Sequence, residues 1–216
     1  MFFCFFIVIV VIIERTRSSS TGAHAKGIIA FYGKSGFWLL HSIPLFPDSN
    51  ESFEYPKRSL NNGQAFFCIT LSIDDQITME NLAKHLSMIN PNIYSINLTK
   101  TFREKYPMYE EFLLKKKRKS KNRPIELIQT ISSANHNSFT IFSKDQKFHH
   151  DIYADLIAQH YRDDFYAQTW RNGAGEILHS ECKNGFKIFN IQSIKMYGIF
   201  LNCFVLIFFY PFLNFQ

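Results

Sequence analysis

The sequence lacks any hydrophobic run long enough to cross a lipid bilayer as a helix. The N-terminal run, Phe2 to Ile13, has 12 residues and would be roughly 18 Å long as a helix, whereas the hydrocarbon core of a bilayer is about 30 Å thick. The C-terminal run, Ile199 to Leu213, has about 15 residues and is interrupted by Asn202 and Pro211. We therefore expect no membrane partner, and contact of these two ends with a membrane is the alternative.

The chain also lacks the patterns that hold metals and nucleotide cofactors. Gly173-Ala174-Gly175 is not followed by Gly-Lys-Ser/Thr, so it predicts a turn rather than a phosphate-binding loop. The pair His149-His150 and the later His160 have no Cys or carboxylate in a recognisable zinc-ligand spacing. No internal repeat with a period of roughly 20 to 50 residues is visible. We expect neither a metal nor a cofactor.

What the chain has in excess is apolar and aromatic surface together with positive charge. Apolar residues make up 46% of its 216 residues, and 24 of them are phenylalanine, which is enough to form a substantial core. The formal net charge is +6 with histidine neutral. A positive balance of this kind suits a polyanionic partner such as nucleic acid, although many basic proteins bind none.

The most informative short motif is His24-Ala25-Lys26, at the start of an apolar strand. Successive side chains of a strand point to opposite faces, so His24 and Lys26 would project from the same face. An imidazole there can attack phosphorus or transfer a proton, while the ammonium neutralises charge on the phosphoryl oxygens. A solvated loop histidine beside a solvated lysine is the alternative interpretation.

Strand and helix patterns alternate between the two hydrophobic ends, which predicts an α+β fold. Alternation and β-branched or aromatic residues predict seven strands, at 27–32, 37–43, 65–73, 125–131, 139–142, 165–170 and 186–194. Helical periodicity predicts one helix from Met79 to Ile89, capped by Thr78, and another from His150 to His160. No linker is visible, so we expect a single globular unit with two hydrophobic tails.

Five segments of the chain are long and unusual in sequence. They are GAHAKGII (22–29), GFWLLHSIPLFP (36–47), NGQAFFCITLS (62–72), SFTIFSKDQKFHHDIYADLIA (138–158) and QTWRNGAGEILHSECKNGFKIFNIQSIK (168–195). In their order and approximate spacing they resemble the deoxyribonuclease II family of acid endonucleases. From the first segment to the last they span residues 22–195, which is most of the chain between its hydrophobic ends.

The resemblance implies a metal-independent hydrolase of DNA phosphodiesters that leaves 3′-phosphate ends. It also implies a phospholipase D-like mixed sheet with flanking helices, in which two halves each donate one His-x-Lys to a shared site. His24 and Lys26 match the first of these motifs, and His41 matches a further histidine linked to activity in the family. The implied partner is DNA, bound by its phosphate backbone without sequence specificity.

The chain departs from the family pattern by having no second His-x-Lys, since lysine follows histidine by two residues only at His24. We therefore expect an incomplete fold and impaired cleavage, with residues 1–20 a signal-like or foreign segment, 21–197 the family region and 198–216 a hydrophobic tail. The resemblance also implies that the disulfide partners of Cys68 and Cys182 are missing, which predicts free buried thiols. A catalytically inactive DNA-binding or secreted interaction protein is the alternative function.

The family region and the N-terminal run together predict a lysosomal or secreted location. Phe2 to Ile13 has the length of a signal-peptide apolar region, and Asn50 and Asn97 begin glycosylation sequons. The basic run Lys115 to Arg123 could follow a DNA backbone or act as a nuclear localisation signal, and a solvated loop is the third reading.

Overall fold

The computed structural model describes residues 6–10, 26–43, 55, 57, 60–61, 64–89, 91, 93, 95–96, 98–113, 124–145, 147–167 and 179–191. These residues form helices together with largely antiparallel sheets, which confirms the predicted α+β class. The chain divides into two compact units, the first built from residues 1–59 and 66–149 and the second from 60–65 and 150–216. The expectation of a single unit was wrong, because the composition of the chain does not reveal where contacts become sparse.

The first unit is centred on a five-stranded antiparallel sheet. Its strands are β1 (Phe6–Val10), β2 (Lys26–Tyr32), β3 (Ser35–His41), β4 (Phe66–Ser72) and β5 (Ser95–Ile96), in the spatial order β4-β3-β2-β1-β5. The predicted strands 27–32, 37–43 and 65–73 correspond to β2, β3 and β4. These three strands alternate between a face that packs into the core and a face that does not.

Strand β1 comes from the segment that the sequence analysis described as signal-like or foreign. It pairs antiparallel with β2 on one side and β5 on the other, so that Ile9 lies opposite both Ile29 and Ile96. Residues 6–10 therefore supply an inner strand of the sheet, although their apolar run has the length of a signal region. The boundary at residue 20 stays a prediction.

Helix α1 (Gln76–Ile89) covers the core face of this sheet and also packs on the hairpin of β6 (Glu126–Ser132) and β7 (Ser138–Lys144). Leu82 and Leu86 are fully buried in the same apolar cluster as Ile29 and Leu71 of the sheet. Fully burying one such side chain contributes roughly 1.5–3 kcal/mol. The helix therefore shares one apolar core with the sheet and the hairpin.

The cap predicted for α1 was misplaced by three residues. Asp75, rather than Thr78, accepts the free N–H at this end, because its carboxylate bonds both the backbone N–H of Thr78 at 3.0 Å and the Thr78 hydroxyl at 2.8 Å. Thr78 is buried one turn inside the helix, where its hydroxyl accepts the backbone N–H of Ser132 at 2.8 Å. Both residues are good N-caps, so the sequence alone could not choose between them.

Two short helices were missed in the first unit, α2 (Lys100–Lys105) and α3 (Pro107–Leu113). The Thr99 hydroxyl caps α2 by accepting the Phe102 backbone N–H at 3.3 Å, and α3 begins at a proline, which is favourable in a first helical turn. Phe102 and Tyr109 are buried in the core. The cap and the proline were the sequence signals available for these helices.

The second unit contains the three-stranded sheet β8 (Phe165–Ala167), β9 (Glu181–Lys183) and β10 (Phe186–Asn190), in the order β8-β10-β9. Strand β10 runs parallel to β8 and antiparallel to β9. The helix predicted from His150 to His160 is instead a π-helical turn (Tyr153–Ile157) followed by α4 (Ala158–Tyr161). The side chains of Ala154, Ala158, Ala167 and Ile188 form the small core of this unit.

The cysteine prediction was correct in one respect and wrong in another. Cys68 and Cys182 are free thiols, as expected, but both are exposed rather than buried. Cys68 lies on the face of β4 that alternates away from the core, while its neighbour Ile69 points inward. Strand alternation, which the sequence alone displays, would have assigned Cys68 to the outer face once Ile69 was placed in the core.

A buried histidine in this core gives the first unit a pH-dependent stability. His85 of α1 is 8% exposed, contacts the Ser143 hydroxyl of β7 through Nδ1 and packs on Trp38. Burial lowers the pKa of His85 to about 4. In the unfolded chain His85 is protonated as the pH falls below about 6.5. In the folded chain it is protonated only near pH 4.

We expect the free energy of unfolding to fall by about 3 kcal/mol between pH 7 and pH 4 through His85 alone. In the variant His85→Gln this side chain cannot be protonated. The part of the pH dependence that comes from His85 should therefore be absent. Denaturant unfolding at both pH values measures the difference. His136→Gln, at an exposed turn, is the matched control. If the free energy of unfolding changes with pH by the same amount in the unsubstituted chain and both variants, the prediction is contradicted.

Candidate active site

The structure places two of the three predicted site residues directly opposite each other. Lys26 is the first residue of β2 and His41 is the last residue of β3, and the antiparallel register pairs them. Side chains of opposed residues have Cβ atoms about 4.5–5.5 Å apart. Because Ile29 and Trp38 point into the core, strand alternation puts Lys26 and His41 on the other face of the sheet.

The third predicted residue, His24, lies outside the described residues. In the sequence it precedes Lys26 by two positions. The basic run Lys115 to Arg123 and the sequon residues Asn50 and Asn97 also lie outside them.

Lys26 and His41 are almost completely removed from solvent, with exposed fractions of 6% and 8%. Burial, and after it the positive charge of Lys26, lowers the pKa of His41 to about 4, while a hydrogen bond with the Ile43 backbone acts in the opposite direction. His41 is therefore a neutral imidazole at pH 5, where an ordinary histidine is mostly protonated. A neutral imidazole beside a fixed cation can accept a proton while the cation holds an anion.

A third strand adds an aromatic side chain to this row. Phe66, the first residue of β4, pairs with His41 in the register, and the two ring centroids are 6.0 Å apart. Its side chain is 53% exposed. Phe66 was not among the predicted site residues, because the offset between β3 and β4 depends on how their ends are held and not on either strand alone.

The Lys26–His41 pairing did have a signal in the sequence. The hairpin between β2 and β3 closes with Tyr32 opposite Ser35, so only two residues, Gly33 and Lys34, form the turn. Gly33 has a φ of +59°, which is favourable for glycine. Counting back from a two-residue turn places residue 26 opposite residue 41.

The described part of the chain forms neither a metal centre nor a helix that could cross a membrane. No group of three or more His, Cys, Asp or Glu side chains within it could hold a metal ion. The helices found there are all too short or too polar to cross a membrane. His149, His150 and His160 belong to the described residues and form no such metal group.

A family model described as Deoxyribonuclease II matches residues 12–202. This chain belongs to the deoxyribonuclease II family. The match includes Lys26, His41 and Phe66, so the row across β2, β3 and β4 lies within the region common to deoxyribonuclease II proteins.

Curated deoxyribonuclease II relatives share about a third of their residues with the chain over the matched region. Plancitoxin-1 of Acanthaster planci is 32% identical over 186 residues, covering 86% of this chain and 50% of the relative. Deoxyribonuclease-2-beta of Homo sapiens is 33% identical over 174 residues, covering 80% of this chain and 46% of the relative. Deoxyribonuclease-2 of Caenorhabditis elegans is 31% identical over 161 residues, covering 74% of this chain and 41% of the relative. The chain thus spans about half the length of these relatives.

Proposed function

We propose that the chain carries half of a deoxyribonuclease II-type active site, which hydrolyses DNA phosphodiesters without a metal ion and leaves 3′-phosphate ends. The observation that carries the proposal is the pairing of Lys26 with His41 at the position that the family resemblance assigns to the site. Membership of the family supports DNA as the substrate. The net charge of +6 suits the phosphate backbone, which is bound without regard to sequence.

In this proposal each of the three residues has a separate task. His24 is the nucleophile or the acid/base group, Lys26 holds a phosphoryl oxygen, and His41 supports them as a neutral imidazole. Lys26 is suited to its task because a cation shielded from water interacts more strongly with developing negative charge than an exposed one. His41 is suited because its lowered pKa keeps it able to accept a proton in acid.

The finer features that the family resemblance implies belong to the same proposal. They are a phospholipase D-like arrangement of sheet and helices, a family region spanning residues 21–197, and a lysosomal or secreted location. A pKa of about 4 keeps the His41 imidazole largely neutral at about pH 5, so the residue is compatible with an acidic compartment.

The function is tested by incubating the 216-residue chain with supercoiled plasmid at pH 5 in EDTA. We expect slow nicking, and termini that accept end-extension by polymerase only after a phosphatase has removed the 3′-phosphate. DNA binding without nicking would favour the inactive DNA-binding alternative. Nicking that occurs without EDTA but not in its presence would contradict the metal-free chemistry.

The electrostatic coupling between Lys26 and His41 gives a prediction that needs no catalysis. His41 should titrate near pH 4, and Lys26→Met should raise its pKa, because the cation that opposes protonation is then removed. NMR titration of the His41 ring measures both values. Lys34→Met, in the exposed turn of the same hairpin, should leave the pKa of His41 unchanged, and titration near 6.5 in every variant would contradict the geometry.

A further inference from the structure

The sheet of the second unit has one covered face and one open face. The π-helical turn and α4 pack on the face that carries Ile188 and Ala167. Alternation along β8 and β10 therefore turns Tyr166 and Phe189 to the opposite face. These two rings are 62% and 36% exposed, so the described residues leave much of both uncovered.

Tyr166 and Phe189 form a continuous aromatic surface on that open face. They are opposite each other in the parallel register of β8 and β10. Their ring centroids are 4.9 Å apart, and the ring planes differ by 20°. A stacked pair held by two hydrogen-bonded strands keeps its geometry before any ligand arrives, so binding on it requires little ordering of side chains.

Lys187 places a positive charge on the same face. It precedes Phe189 by two residues on β10 and is exposed, so it projects on the same side as the rings. Among the strand residues that the structure describes on this face, which are Tyr166, Cys182, Lys187 and Phe189, none is a carboxylate. One carboxylate lies next to this cation: Asp164, just before β8, accepts the backbone N–H of Lys187 at 2.7 Å.

We propose that the aromatic surface of Tyr166 and Phe189 is a stacking site for unpaired bases of DNA, with Lys187 contacting the adjoining phosphate. Aromatic side chains on an open sheet face, next to a cation, are a recurring way to bind single-stranded nucleic acid, because every base offers a stacking face. The site is separate in sequence from Lys26 and His41. It rests on the proposed function only in taking DNA as the ligand, and it requires no cleavage.

Binding of two oligonucleotides to the full 216-residue chain tests the site. One is an oligothymidine of about 12 nucleotides, and the other has the same length and charge but abasic sugars. We expect Tyr166→Ala and Phe189→Ala each to weaken oligothymidine binding by roughly five- to 100-fold. Binding of the abasic strand should change by less than about twofold, since it depends on phosphates alone.

Matched variants separate stacking from a folding effect. Tyr161→Ala removes another exposed tyrosine of the same unit, 49% exposed against 62% for Tyr166, and should leave both affinities unchanged. Tyr166→Trp keeps an aromatic face and should retain tight oligothymidine binding. If Tyr166→Ala weakens binding of both oligonucleotides equally, the stacking site is overturned. An unchanged affinity of that variant for oligothymidine would overturn it as well.

The remaining outcomes distinguish this site from the function on which it rests. If the unmodified chain binds both oligonucleotides equally, only the stacking site is overturned. If it binds neither, DNA as a ligand is overturned as well. Sedimentation that shows self-association of the chain, lost in Tyr166→Ala, would instead assign the surface to contact between two copies.

Discussion

Replacing His24 by alanine is expected to abolish DNA cleavage when the chain is extended with a second His-x-Lys. Its neighbours in the sequence, Ala23 and Ala25, carry neither a nucleophile nor a proton donor, and acid/base help alone is worth about 10²- to 10⁴-fold. Lys26→Ala should lower kcat by roughly 10²- to 10³-fold, because the lost cation acts mainly on charge that develops in the transition state.

The split between kcat and KM identifies the role of Lys26. Other basic residues still hold the DNA backbone, so we expect KM to change by only a few-fold in Lys26→Ala. Lys34→Ala is the control, since Lys34 is an exposed lysine of the same hairpin, paired with Asp74 at 2.9 Å. A variant at Lys26 that raises KM and leaves kcat unchanged would show that this lysine is an ordinary backbone contact.

The second large effect concerns the number of His-x-Lys motifs. The 216 residues contain one such motif, and a site lacking its partner loses either the nucleophile or the proton donor. We expect the chain alone to nick plasmid at pH 5 in EDTA at least about 100-fold more slowly than the extended chain.

The rate must be measured over a range of protein concentrations. A rate that rises with the square of the concentration would mean that a second copy supplies the missing histidine. A monomeric 216-residue chain that matches the extended chain would contradict the requirement for two motifs. The extended chain carrying alanine at both positions of its second motif is the matched control.

Local sequence patterns were sufficient for most strands of this fold. β2, β3 and β4 match their predicted spans to within two residues at each end, because alternation and β-branched or aromatic residues mark a half-buried strand directly. Helix α1 was likewise predicted from a local pattern, in this case apolar residues at helical spacing on one face. The π-helical turn at Tyr153–Ile157 was not, since its apolar spacing is close to that of an ordinary helix and its hydrogen-bonding is set by packing.

The N-terminal hydrophobic run shows what a local pattern leaves open. The run from Phe2 to Ile13 is apolar at every position, which is equally typical of a signal region and of an inner strand. Residues 6–10 are placed in the sheet by their pairing with β2 and β5. Pairing partners distant in the sequence are not visible in a local pattern, and the signal-like or foreign character of residues 1–20 stays a prediction.

The sequence by itself determined the family, the class of fold and the residue types of the site, because these depend on motifs and on the order of segments along the chain. The tertiary structure alone decided what surrounds those residues. Lys26 and His41 are buried side by side, and Phe66 completes their row. The low pKa of His41 follows from that burial and from the charge opposite it, both of which arise only when strands separated in sequence are brought into register.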